Sequence, residues 1–125
     1  MNDRRAALLG LGAASLALGG CVEGMFFHPS DTAYSLPGHL AHPPKDVWFQ
    51  TADGSKLHAW WLSAPQARGT VVHAHGNAEN IGNHLPFVAW LPAAGFNVLT
   101  FDYRGFGRSE GRPSLQGVVQ DLHSA

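Results

Sequence analysis

Two apolar runs, residues 70–75 and 97–101, stand on either side of a segment whose apolar residues return every three or four positions. The first run, Thr70-Val71-Val72-His73-Ala74-His75, is nearly continuous, in the manner of strands from parallel sheets covered on both faces. The second, Asn97-Val98-Leu99-Thr100-Phe101, is its expected parallel partner. Between them Ile81, Leu85, Val88 and Leu91 or Pro92 recur at helical spacing. Asn83 is placed to cap that helix, and Pro86 is tolerated because first-turn N–H groups lack partners anyway. Gly95 is placed to stop it in a left-handed conformation. Strand, helix and strand together predict one right-handed βαβ unit.

Upstream, residues 47–51 and 57–63 are two β-rich runs separated by Ala52-Asp53-Gly54-Ser55, which predicts an antiparallel hairpin. Alternation then sets Trp60 and Trp61 on opposite faces of the sheet, and a covered sheet accounts for both rings better than an exposed stacking platform. From Ser114 onward, Leu115, Val118, Val119 and Leu122 fall on one side of a further helix. The fold class is therefore α/β, an antiparallel hairpin followed by a parallel βαβ unit.

The N-terminus follows a different pattern. Arg4 and Arg5 precede an uncharged run over residues 6–20 rich in Leu, Ala and Gly, the order of a signal peptide. The run is shorter than the roughly 20 residues that span a hydrocarbon core. Leu18-Gly19-Gly20-Cys21 resembles the lipobox of bacterial lipoproteins, which makes Cys21 the expected lipidated residue. Stable anchoring takes two or more acyl chains, at about 0.8 kcal/mol per buried methylene. The expectation is an exported, membrane-anchored lipoprotein of a bacterial envelope; the arginine pair leaves Sec and twin-arginine export both open. Residues 21–44 hold Pro29, Pro37, Pro43 and Pro44 among Gly and His and read as a tether. The domain proper is expected over 45–125.

Composition narrows the partners. Eight Lys and Arg against nine Asp and Glu give a formal charge of −1, with no basic face for nucleic acid. Cys21 is the single cysteine and can make no internal disulfide. His73 and His75 share a strand face, with His84 and His58 as further ligand candidates, but no cysteine or acidic partner stands at metal-ligand spacing. Neither a metal nor a cofactor is expected.

Both polar clusters, His75-Gly76-Asn77 and Asp102-Tyr103-Arg104-Gly105, fall at the carboxyl ends of the two strands, where open α/β sheets hold ligands. Gly76 lets the backbone approach a substrate, and the N–H that follows can point at a carbonyl oxygen that turns negative during acyl transfer. Asp102 and Arg104 fit a loop-organising role better than an acid and an anion clamp.

Three ordered segments, His75-Gly76-Asn77-Ala78-Glu79-Asn80, residues 95–99 and residues 102–111, resemble the α/β-hydrolase superfamily in its serine-aminopeptidase-like branch. The likeness reaches back to about Phe27. It implies an oxyanion hole built on the Asn77 backbone N–H, with His75 and Gly76 supporting the loop and a second donor following the nucleophile. It also implies that nucleophile, acid and catalytic histidine lie on later elements, so the chain stops before the nucleophile strand. Gly107-Arg108-Ser109-Glu110-Gly111 matches G-x-S-x-G literally, yet Ser109 lacks the strand-to-helix turn that a nucleophile elbow requires. Gly105, Gly107 and Gly111 likewise miss the spacing of a dinucleotide fingerprint.

Two expectations follow. One is the N-terminal part of a lipid-anchored serine hydrolase for a small ester or amide substrate, inactive as it stands, with residues 70–75 left as an open sheet edge. The other is a short non-catalytic lipoprotein with a binding or structural role.

Overall fold

A computed structural model describes residues 22–33, 36, 38 and 40–125. The predicted signal peptide (1–20) and Cys21 lie outside the described residues. The strands are β1 (His28–Pro29), β2 (Lys45–Gln50), β3 (Lys56–Leu62), β4 (Gly69–Ala74), β5 (Ala78–Glu79) and β6 (Phe96–Phe101). Residues 22–26 are helical, and the α-helices α1 (Ile81–His84) and α2 (Leu115–Ser124) lie on either side of β6 in sequence. No helix among the described residues is long and apolar enough to cross a membrane.

The main sheet has the order β2-β3-β6-β4. β2 and β3 form the expected hairpin, with Val47 opposite Ala59 and Phe49 opposite Leu57. Its turn closes through Gly54 N–H to Thr51 O at 2.9 Å, with Gly54 at φ +88. β4 and β6 run parallel, as their run lengths predict, with Val71 opposite Val98. The period-2 alternation of β3 and β6 divides the core into two clusters. Leu62, Val98, Leu85 and Val88 pack on one face, with Trp60 against them. Leu57, Ala59 and Phe101 pack on the other, with Val47, Phe49, Leu99 and Tyr103 around them.

Two expectations for the crossover are corrected. The crossover is not one α-helix: α1 has four residues and gives way to 3-10 turns at Leu85–Phe87 and Pro92–Ala94. Each 3-10 turn begins with a proline in its first two positions, and a missing N–H there favours tighter i→i+3 bonding. The cap is Asn80, whose side chain accepts from Gly82 N–H at 2.9 Å, rather than Asn83. The apolar face survives the broken helix, since Ile81, Leu85 and Val88 are all buried. Gly95 does end the segment in the left-handed region, at φ +86.

β4 differs from the strand covered on both faces that its composition suggests. Its place at the sheet edge among the described residues is the expected one, but its faces are less covered than that, with Val72 43% exposed. The helix α2 forms where expected and presents its apolar side outward. Its buried residues are Gly117 and Asp121, while Leu115, Val119 and Leu122 face outward. The cause is Arg104, whose guanidinium reaches Asp121 at 2.8 Å and lies so close to Gly117 that a Cβ there would meet Arg104 Cδ at 2.5 Å.

Part of the predicted tether is built into the domain. β1 pairs in parallel with β5, and Phe27 is buried, edge-on to Phe106 at 6.2 Å. Asn80 Nδ2 donates to Ser30 O and Thr32 O at 3.1 and 2.9 Å. A two-residue bridge carries no periodicity, so composition alone cannot register it. Met25 and Phe26 stay exposed.

Candidate functional site

The carboxyl ends of β4 and β6 lead into the two polar clusters, and parallel pairing brings them side by side. After β4 the chain turns through His75, Gly76 and Asn77 into β5. That turn is pinned to the segment before β1 from two sides: His28 N–H donates to Asn77 O at 2.8 Å, and Asn77 Nδ2 donates to Phe26 O at 2.6 Å. Gly76 and Asn77 are exposed. The Asn77 N–H itself donates to no group among the described residues. An exposed residue on a pinned loop, with its backbone donor unengaged among the described residues, is what a site for a developing negative oxygen requires.

His75 is buried beneath this loop. Its ring stacks on His84 at 5.2 Å and 27°, and packs against Tyr103 and Phe106. Nδ1 lies 2.8 Å from Gly76 O, and Nε2 lies 3.4 Å from Asp102 Oδ1. Of the other metal candidates, His73 Nδ1 is taken up by Thr100 Oγ1 at 3.0 Å. His58 bonds Asp46 at 2.5 Å. Among the described residues no three His, Cys, Asp or Glu side chains gather to hold a metal ion.

Asp102 is the junction of the region and is 2% exposed. Its Oδ1 accepts from Ile81 N–H at 2.9 Å, and its Oδ2 lies 3.7 Å from His58 Nδ1. Burial alone would raise its pKa, but the imidazoles of His58 and His75 beside it, with the hydrogen bond from the Ile81 N–H, outweigh it and hold the carboxyl below its ordinary value. Gly107 closes over the carboxylate at φ +50, where a Cβ would stand 2.1 Å from Oδ2. Arg104 points elsewhere, to Asp121 and Asp53, so Asp102 and Arg104 are not a pair.

Ser109 is spent on structure. Its hydroxyl donates to Asp102 O at 2.6 Å and accepts from His58 N–H at 2.9 Å, tying the glycine-rich loop to β3 and β6. Among the described residues no imidazole nitrogen is its partner, so it lacks there the base that activates a serine. A cavity of about 240 Å³ opens beside Asp102, lined by Asp46, His58, Trp60, Ile81 and Arg108 among others. Asn77 is not part of its lining.

Sequence reasoning put Asn77, His75 and Gly76 in one loop but missed Asp102 as the group beneath it. The available signal was Gly107: a glycine five positions after a strand-end aspartate leaves room for that carboxylate to be covered by backbone.

Comparison with known proteins agrees with this architecture. The family described as Serine aminopeptidase, S33 matches residues 65–125. The chain is 43% identical over 105 residues to the Escherichia coli K12 protein YfhR, covering 80% of this chain and 36% of that one. It is 36% identical over 86 residues to the lysophosphatidylserine lipase ABHD12 of Macaca fascicularis, covering 66% of this chain and 21% of the lipase. The chain thus spans about a third or less of these curated relatives. Among solved structures, the Pyrococcus furiosus esterase Pf2001 superposes with a TM-score of 0.66 at 26% identity, over 79% of this chain and 39% of the esterase.

Proposed function

The chain carries part of an α/β-hydrolase fold, and from that premise we propose that it supplies the oxyanion side of a serine hydrolase that cleaves ester or amide bonds through an acyl-enzyme. The observation that carries the reading is Asn77, exposed at the carboxyl end of β4, its N–H unengaged among the described residues and its loop pinned to Phe26 and His28. His75 and Gly76 support that loop. In this reading Ser109 is not the nucleophile, and the 125-residue chain alone turns over no ester, because an oxyanion donor without nucleophile and base stabilises a transition state that is never reached. The open edge of β4 and the outward stripe Leu115, Val119 and Leu122 are surfaces that further elements of a hydrolase domain would cover. The esterase and lipase descriptions of two relatives favour an ester over an amide. Export and anchoring through a lipidated Cys21 complete the proposal and place the hydrolase at a membrane surface.

The reading requires that the complete coding sequence supply, beyond position 125, a strand ending in G-x-S-x-G and later an acid and a histidine. In the protein bearing that serine, Asn77→Ala keeps the backbone donor and the bond from His28 N–H but loses the side-chain bond to Phe26 O, and should keep most of its activity. Asn77→Pro removes the donor and lowers kcat by about 10²–10³. Unchanged kcat in folded Asn77→Pro enzyme would overturn the assignment.

A further inference from the structure

One imidazole links the acidic end of β6 to the donor end of β4. His75 Nδ1 stands 2.8 Å from Gly76 O, and a carbonyl only accepts, so Nδ1 carries the proton. The Gly76 carbonyl and the Asn77 N–H belong to one planar peptide unit, so holding the first aims the second in the opposite direction. The other ring nitrogen, Nε2, is buried without a hydrogen-bond partner among the described residues and faces Asp102 Oδ1 at 3.4 Å. The carboxylate stands within ion-pair reach of that ring edge. Asp102 in turn cannot drift: Ile81 N–H holds Oδ1 at 2.9 Å, and the Gly107 backbone closes over Oδ2. The ring is clamped between His84, Tyr103 and Phe106, which opposes a flip.

We propose that Asp102 is a positioning residue for the oxyanion peptide, acting through His75: it fixes the imidazole, the imidazole fixes the Gly76 carbonyl, and the carbonyl aims the Asn77 N–H. The functional part of the proposal rests on the reading of Asn77 as the oxyanion donor. The hydrogen bond to Gly76 O has a second effect, since drawing electron density from the carbonyl strengthens the N–H of the same amide as a donor.

The test is nuclear magnetic resonance on the full chain in detergent micelles, labelled with ¹⁵N at histidine and asparagine. In the unmutated chain, His75 Nδ1 is expected as a protonated nitrogen and the Asn77 amide nitrogen is displaced downfield by the bond to the preceding carbonyl. His75→Asn places a donor where Nδ1 stood and should keep that displacement; His75→Gln should lose it. Asp102→Asn keeps an acceptor for Ile81 but loses the charge, and should shift the Asn77 resonance in the same direction as His75→Gln. A bare Nδ1 in the unmutated chain overturns the proposal without any variant having to fold. So does an Asn77 resonance that ignores Asp102→Asn. In the protein bearing the nucleophile, His75→Gln should lower kcat up to about 10-fold, the worth of one hydrogen bond, with KM unchanged, and His75→Asn should restore much of it. If the resonances behave as expected while Asn77→Pro leaves hydrolysis intact, the oxyanion reading fails and the positioning of the peptide stands.

Discussion

Replacing Gly107 with alanine loads the Asp102 junction directly. Two costs follow from the geometry. The backbone sits at φ +50, where a Cβ costs an L-residue about 1–2 kcal/mol. The new Cβ would stand 2.1 Å from Asp102 Oδ2 and 2.6 Å from Cγ, so the carboxylate must move. Moving it strains or breaks the bond from Ile81 N–H, and hydrogen bonds to a charged group are worth about 1.5–3 kcal/mol. The total is about 3–5 kcal/mol, a large share of the roughly 5–15 kcal/mol that stabilises a typical domain. Gly54→Ala is the control: its φ is +88, but nothing lies within 4 Å of the added Cβ, so it isolates the backbone cost. Urea unfolding of both variants, compared at unchanged m-value, measures the difference. Gly107→Ala within about 1 kcal/mol of Gly54→Ala would refute the reasoning, because it would mean that Asp102 is free to move.

Three further outcomes follow. Ser109→Ala removes the bonds to Asp102 O and from His58 N–H, and should cost about 1–3 kcal/mol in urea unfolding, with no effect on ester hydrolysis. Asp121→Asn leaves the Arg104 guanidinium beside a fully buried neutral partner and should cost about 3–5 kcal/mol by the same measurement; Asp53→Asn, at the exposed end of that guanidinium, should cost far less. The Asp102 carboxyl is held below its ordinary 3.8, so the unfolded chain binds its proton first; the stability it contributes is complete above that pH and is lost as pH falls below it. An acid titration followed by circular dichroism should therefore be flatter below pH 4 in Asp102→Asn than in the unmutated chain.

The hairpin and the parallel pair were legible because run length and alternation report local backbone geometry, and both pairings were found within two residues of the expected ends. The crossover helix was not, because its apolar spacing is helical while Pro86 and Pro92 withhold the N–H groups an α-helix would use. In α2 the hydrophobic stripe was legible but the inward face was not: Asp121 turns to Arg104, a partner 17 positions away, and Leu115, Val119 and Leu122 face outward. The site divides along the same lines. Asn77, Gly76 and His75 are adjacent in the chain and could be read together. The Asp102 junction draws on His58, His75, Ile81 and Gly107, which are scattered over 50 residues and meet only when the sheet forms. Ser109 shows the converse, a motif match whose hydroxyl the fold consumes as a staple.

In the proposed function this chain holds an oxyanion donor and no nucleophile. Incubating the 125-residue chain with a fluorophosphonate and an activated ester, followed by intact-mass and peptide mapping, tests it most directly. The account predicts no adduct on any serine and no ester release above background. A stoichiometric adduct on Ser109, with turnover abolished by Ser109→Ala, would contradict it.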